Sequence, residues 1–154
     1  MSVTYGTEHE APEIALPKRD TGKAVLRGLF CKCPSCGAGR IFNGYLTVAR
    51  ECNSCGEELH HHRADDAPPY FTIFLVGHLI VPLALGIEIA YRPDMWIHMA
   101  LWLPLTILSS LFFLRPIKGA LIGLQWGLYM HGFDPNSVDP DAPEEAGVVM
   151  AERS

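Results

Sequence analysis

The sequence predicts a mostly α membrane protein, in which a small N-terminal β ribbon precedes a two-helix transmembrane hairpin and an interfacial helix. Two observations carry that fold class. The first is a set of four cysteines in two matched pairs, Cys33-Pro34-Ser35-Cys36-Gly37 and Cys52-Asn53-Ser54-Cys55-Gly56, with fifteen residues between the pairs. The second is hydropathy. Residues 70–87 and 96–114 contain no Asp, Glu, Lys or Arg, and each run is about long enough to cross a bilayer core.

Two cysteines two residues apart on a tight turn present both sulfurs to one ion. The glycine after each pair lets the backbone fold back, so that its amides face the sulfurs. Two such knuckles supply four thiolates, a closed tetrahedral site for zinc. Cys33, Cys36, Cys52 and Cys55 are therefore the expected ligands and zinc the expected ion. A rubredoxin-like iron site uses the same sulfurs but a wider gap between pairs, which makes iron the second choice. Two disulfides are the remaining alternative. Four thiolates around one zinc leave a formal charge of −2, which Lys32 and Arg40 beside the first knuckle are placed to offset.

In chain order, residues 1–22 are polar and read as a disordered tail. Residues 23–66 form a basic segment and the zinc ribbon. Lys23 and Arg27 are four apart, with Val25, Leu26, Leu29 and Phe30 as apolar surface, a pattern suited to an anionic lipid leaflet. A loop with scattered hydrophobic residues fits the same stretch. Asn43-Gly44 lies between Arg40-Ile41-Phe42 and Tyr45-Leu46-Thr47-Val48, which predicts a β-hairpin on a type I′ turn. Phe42, Tyr45 and Leu46 are its candidate core. So small a module buries too little apolar surface to fold alone, and metal supplies much of its stability. Cys31 is the odd cysteine, too close to Cys33 to share its face; it reads as a half-buried side chain outside the metal shell. The linker His60-His61-His62-Arg63-Ala64-Asp65-Asp66 is rich in potential ligands. Adjacent histidines cannot all face one ion unless the backbone bends, so a polar juxtamembrane linker is the plainer reading.

Residues 67–115 form the hairpin, with helices near 70–91 and 95–114 and Asp94 as N-cap of the second. A buried soluble hairpin is the alternative. The hairpin starts too late in the chain, and is too long, for a signal peptide. Measured from Pro93 at the turn, Pro82 and Pro104 are each eleven residues away, and Glu88 and His98 each five. Equal distance from the turn means equal depth, so Glu88 and His98 are expected to face each other, with the imidazole charged. His78 lies deeper, where a bond to Thr106, Ser109 or Ser110 across the hairpin and contact with a partner are the two alternatives. Residues 116–132 follow Arg115-Pro116 as an interfacial helix. There Gly119, Gly123 and Gly127 repeat every four residues, a surface permitting close helix contact. Residues 133–154 are acidic, Pro-containing and expected to be disordered.

The net charge of −5 is less informative than its distribution. Eight of the twelve basic residues precede the first run, and Arg115 and Lys118 follow the second; the turn between holds only Arg92. The positive-inside rule places both termini in the cytoplasm, where thiols stay reduced. Two lines of argument thus agree on one topology, with both termini in the cytoplasm and the cysteines reduced.

Together Cys33-Pro34-Ser35-Cys36-Gly37, Gly39-Arg40-Ile41-Phe42-Asn43-Gly44-Tyr45-Leu46 and the second knuckle resemble a family of small proteobacterial membrane proteins, domain of unknown function 983. Trp102-Leu103-Pro104-Leu105-Thr106 and Leu114-Arg115-Pro116-Ile117-Lys118-Gly119 are also similar to it. The resemblance covers roughly residues 23–130. It implies a zinc-ribbon inner-membrane protein without an established activity, in a family often encoded beside genes for haem-copper oxidase and its assembly factors. It supplies no catalytic residues.

The sequence shows no nucleophile paired with a base and no phosphate loop, and a four-thiolate site is closed to substrate. The expectation is a non-enzymatic membrane accessory protein with lipid and a membrane-protein client as partners, assisting assembly of a haem-copper oxidase. A metal- or redox-handling protein using Cys31 and the His60–Asp66 linker is the first alternative. A membrane-tethered nucleic-acid-binding ribbon is the second. Lys32, Arg40 and Arg50 are balanced by Glu51, Glu57 and Glu58, without the basic stripe that phosphate binding requires.

Overall fold

The computed structural model describes residues 16–62 and 66–134. Of the tails expected at residues 1–22 and 133–154, residues 1–15 and 135–154 lie outside the described residues, as do residues 63–65 of the linker. Three α-helices follow one another: α1 (Thr21–Leu29), α2 (Ala67–Tyr91) and α3 (Met95–Gly127), with a 3₁₀ turn at His131–Phe133. The cysteine-bearing segment lies between α1 and α2 and packs on the end of α3.

Helix α1 begins at Asp20, whose side chain accepts from the Lys23 amide at 3.0 Å. That bond also holds the Asp20 carboxyl below its usual range. The helix ends in a Schellman motif. The Lys32 amide bonds Arg27 O at 2.9 Å and the Cys31 amide bonds Gly28 O at 2.7 Å. Cys31 occupies the left-handed position of that motif, with φ 58°, where glycine is usual. The odd cysteine therefore stops a helix. Its side chain packs beside Ile41, Phe42 and Ile122.

Residues 16–22, expected to belong to the disordered tail, instead lead into α1 and pack on the end of α3. Arg19 donates to Trp126 O at 2.8 Å and stacks over the Trp126 and Tyr129 rings. Tyr129 OH donates to Pro17 O.

Helices α2 and α3 form the hairpin. Arg92 closes α2 in the left-handed region, and Asp94 is N-cap of α3 without a side-chain cap bond. Both helices are long and apolar enough to cross a membrane. Much of their surface is left uncovered by the other described residues: Leu79, Val81, Leu85, Leu103, Leu108 and Phe112 are all exposed. A soluble hairpin would bury them.

Helix α3 corrects one expectation. It runs through Pro116 without a break, so residues 116–127 are its last turns and no separate interfacial helix follows the span. Proline inside a helix costs about 3 kcal/mol. Packing against α1 holds the later turns in place despite it. The glycine stripe is the contact: a Cβ on Gly119 would lie 2.1 Å from Gly28 O, and one on Gly123 2.3 Å from Ala24 O. The backbones touch because neither side has a side chain in the way.

The ribbon corrects another. Among the described residues there are three isolated antiparallel bridges, Lys32 with Arg40, Phe42 with Val48 and Glu51 with Glu58, and no strands. The Asn43 amide bonds Thr47 O at 2.9 Å, so the loop is wider than two residues, and neither Asn43 nor Gly44 has positive φ. The type I′ turn is absent. Tyr45 instead reaches α3, where its hydroxyl donates to Leu111 O. Tyr45 is exposed and Leu46 half-buried. The core residue beside Phe42 is the fully buried Ile41, packed on Ile122 of α3. Docking on a helix takes the place of a ladder.

Candidate metal centre

Each knuckle is built the same way. The Gly37 amide bonds Cys33 O at 2.9 Å, and the Gly56 amide bonds Cys52 O at 2.9 Å. Both glycines have φ 72°, a conformation that glycine adopts without strain. The turns aim amides at sulfur: Ala38 N lies 3.4 Å from Cys36 Sγ and Ser54 N 3.5 Å from Cys52 Sγ. Gly39 leaves the gap through which the knuckles meet, since a Cβ there would lie 2.3 Å from Cys52 Sγ.

The four sulfurs of Cys33, Cys36, Cys52 and Cys55 all lie within 4.8 Å of one another. Cys33 to Cys55 and Cys36 to Cys52 are each 3.8 Å. An ion holding four sulfurs tetrahedrally at about 2.3 Å sets them about 3.8 Å apart. Two of the six sulfur pairs stand at that separation, so the quartet is compatible with a tetrahedral metal ion. It does not fit disulfides, whose sulfurs are about 2.05 Å apart, and all five cysteines are free. Cys31 is not a member of the quartet.

The thiols are tuned apart. Burial pushes the Cys33 thiol far up, and burial also raises Cys55. The Gly39 and Ala38 amides draw Cys36 down to about 6. One thiolate is thus available at neutral pH, while the others named hold protons that a cation must displace.

Arg27 is the cation that reaches the centre. Its Nη1 donates to Pro34 O at 3.0 Å and Ser35 O at 2.7 Å, clamping the first knuckle to α1. Lys32 and Arg40, to which sequence reasoning assigned charge balance, pair as an antiparallel bridge beside the first knuckle. The second knuckle is tied to α3. Glu57 accepts from Trp126 Nε1 at 2.7 Å and lies 3.9 Å from Arg19. These anchors join residues 69 and 38 apart, and local spacing gives no signal for them. Leu59, fully buried against Cys33 and Cys52, completes the site's apolar floor.

The linker histidines separate. His62 Nδ1 faces Leu59 O at 2.9 Å. His60 and His61 stack with ring centroids 3.9 Å apart, and His61 Nε2 lies 3.0 Å from Glu58 Oε2.

In the hairpin, His98 Nε2 lies 2.9 Å from Glu88 Oε2, so the depth argument places the pair. Trp102 Nε1 donates to His98 Nδ1 at 3.0 Å. Indole can only donate, so His98 Nδ1 is placed to accept from it and Nε2 to donate to Glu88. His78 does not reach across the hairpin. Its Nδ1 bonds Phe74 O at 2.9 Å, while Thr106, Ser109 and Ser110 each donate to carbonyls on their own helix. Hydroxyls in an apolar helix find the nearest carbonyl first.

The family model described as protein of unknown function (DUF983) matches residues 42–126. The match takes in the second knuckle, α2 and nearly all of α3, while Cys33 and Cys36 precede it. No curated protein and no solved structure matches the chain.

Proposed function

The chain belongs to this family of unknown function, DUF983, and from its own residues we propose a non-enzymatic membrane accessory protein built around a structural zinc centre. The docking of the sulfur quartet onto an apolar hairpin carries this reading. Trp126 of α3 and Glu57 of the second knuckle meet at 2.7 Å, and Arg27 of α1 grips the first knuckle. The metal module is held as one body with its anchor. A module so fixed presents a defined surface at the membrane face. It does not swing as a tethered reader of nucleic acid would, and its mixed charge suits a protein client better than phosphate.

Zinc is preferred over iron because the fifteen residues between the two knuckles make a shorter gap than a rubredoxin-like site uses. The charge distribution supports cytoplasmic placement of the module and of both termini in a bacterial inner membrane. The client class rests on the family resemblance alone: a haem-copper oxidase during its assembly. Deleting the gene should then lower mature oxidase with transcript levels unchanged, and wild-type protein, but not Cys52→Ser, should restore it. Normal oxidase in the deletion strain would reject that client. Purified protein should carry one zinc per chain and remain in carbonate-washed membranes. Iron absorption, or release by carbonate, would reject the ion or the anchor separately.

A further inference from the structure

A second group of metal-binding side chains follows the second knuckle. Glu58, His60 and His61 place one carboxylate oxygen and two ring nitrogens within 4.8 Å of one another. Neighbouring histidines share an ion only where the chain bends, and it bends here. His60 and His61 form a turn immediately after Leu59. Leu59 fixes the start of that turn: its amide bonds Arg50 O at 2.8 Å, and its side chain is fully buried.

The far side of the turn is fixed by residues after α3. The Phe133 ring meets the His61 ring edge-on at 6.1 Å. Gly132 leaves the space for that imidazole, since a Cβ there would come within 2.5 Å of His61 Nδ1. His61 is thereby held in one orientation, with Nε2 toward Glu58. Glu58 and His60 are exposed and free to rotate onto an ion. Ligands at about 2.0–2.1 Å in a tetrahedron stand about 3.4 Å apart. The 3.0 Å between Glu58 and His61 is already close to that, and rotation of His60 closes the rest.

We propose that Glu58, His60 and His61 form a second, open metal site for a borderline divalent ion of the zinc and copper(II) class. Two imidazoles and a carboxylate are the donor set such ions accept, and three protein ligands leave positions for water. The four-thiolate centre beside it is saturated and slow to exchange; this one is solvent-facing and exchangeable. The two sites differ in donors, coordination and exposure, so they are separable by experiment. The inference does not depend on the accessory role proposed above.

The test uses full-length protein in mild detergent, already holding one zinc per chain, dialysed against buffered free zinc. A second equivalent should bind. Glu58→Gln and His60→Ala, both at exposed side chains, should each weaken it at least about tenfold, a scale that even outer-shell changes reach. The first equivalent and the thiol count should stay unchanged. His62→Ala, whose ring faces Leu59 O, should leave the second equivalent unaltered. Copper(II) added to the zinc-loaded protein should show nitrogen hyperfine coupling that His60→Ala reduces. Binding of one equivalent only, a second equivalent indifferent to Glu58→Gln and His60→Ala, or equal loss in His62→Ala would overturn the proposal.

Discussion

Replacing Gly119 by alanine should undock α1 and, through it, loosen the metal centre. A Cβ at Gly119 would lie 2.1 Å from Gly28 O, where an ordinary contact is 3.4–4 Å. The obstacle is a backbone oxygen, which cannot rotate aside, so α1 itself must move by about 1 Å. Overpacking of this kind costs about 1–3 kcal/mol, and a backbone obstacle argues for the upper end. Alanine gains about 1 kcal/mol over glycine in a helix. The net loss is about 2 kcal/mol, equivalent to an undocked population raised about 30-fold. Cys31 reports it, because it sits at the end of α1 against Ile41, Phe42 and Ile122 and is the one cysteine outside the metal quartet. In the zinc-loaded protein, alkylation of Cys31 should accelerate about 30-fold in Gly119→Ala. Arg27 leaves with α1, so zinc should also pass to a chelator faster. Gly28→Ala meets Gly119 O at the same 2.1 Å and should behave alike, the pair being far from additive. Gly77→Ala and Gly86→Ala, with nothing within 4 Å, are the controls. A Gly119→Ala protein whose Cys31 reacts at the wild-type rate would refute the close-contact reasoning.

Gly39→Ala should lower zinc affinity outright, because its Cβ would sit 2.3 Å from Cys52 Sγ; unchanged chelator competition would count against the packing of the two knuckles. Zinc binding to the apo-protein at pH 7 should release at least two protons, one each from Cys33 and Cys55, whose thiols are raised. Affinity should fall as pH drops, more steeply below about 6 where Cys36 also takes up its proton. Calorimetry in buffers of different ionisation enthalpy measures the release, and a value near zero would contradict those shifts. Cys31→Gly should retain zinc and gain about 1 kcal/mol in thermal stability, since the left-handed position then carries no Cβ. A loss of folding or zinc would return Cys31 to a chemical role.

What the sequence made legible depends on how far apart the interacting residues are. The quartet is read from two four-residue turns, each complete in itself. The hairpin is read from absent charge, and the level of Glu88 and His98 from counting to Pro93. The glycine stripe announces a close contact, but not that α1 makes it. Arg19, Glu57 and Trp126 meet from three distant stretches, and no periodicity encodes that meeting. Pro116 shows the opposite error. A local rule predicted a break, and packing of the following turns on α1 outweighs it. The ribbon's strands fail for a related reason, since Ile41, Phe42 and Tyr45 satisfy themselves on α3 and not across a hairpin.

The Glu88, His98 and Trp102 chain is where counting succeeded and where the indole adds what counting leaves out. Depth brought the carboxylate and imidazole together, but the indole four residues along α3 decides the tautomer. With Trp102 Nε1 donating to Nδ1, the imidazole passes its single proton toward Glu88. Trp102→Phe removes the donor without opening a large cavity. The Nδ1 lone pair then lacks a partner on a half-covered ring, and the ring is free to invert its tautomer. Nitrogen NMR of the labelled imidazole should show a protonated Nε2 and an acceptor Nδ1 in the wild type, and a mixture in Trp102→Phe. A double-mutant cycle between Glu88 and His98 should give coupling of about 0.6 kcal/mol, typical of hydrogen bonds between membrane helices. The Glu88 side chain is about half exposed, which argues against a larger value. Two equivalent protonated nitrogens in the wild type would show that the carboxylate, not the indole, sets the state of the ring. Coupling indistinguishable from zero would mean that the pair shares a depth but no bond.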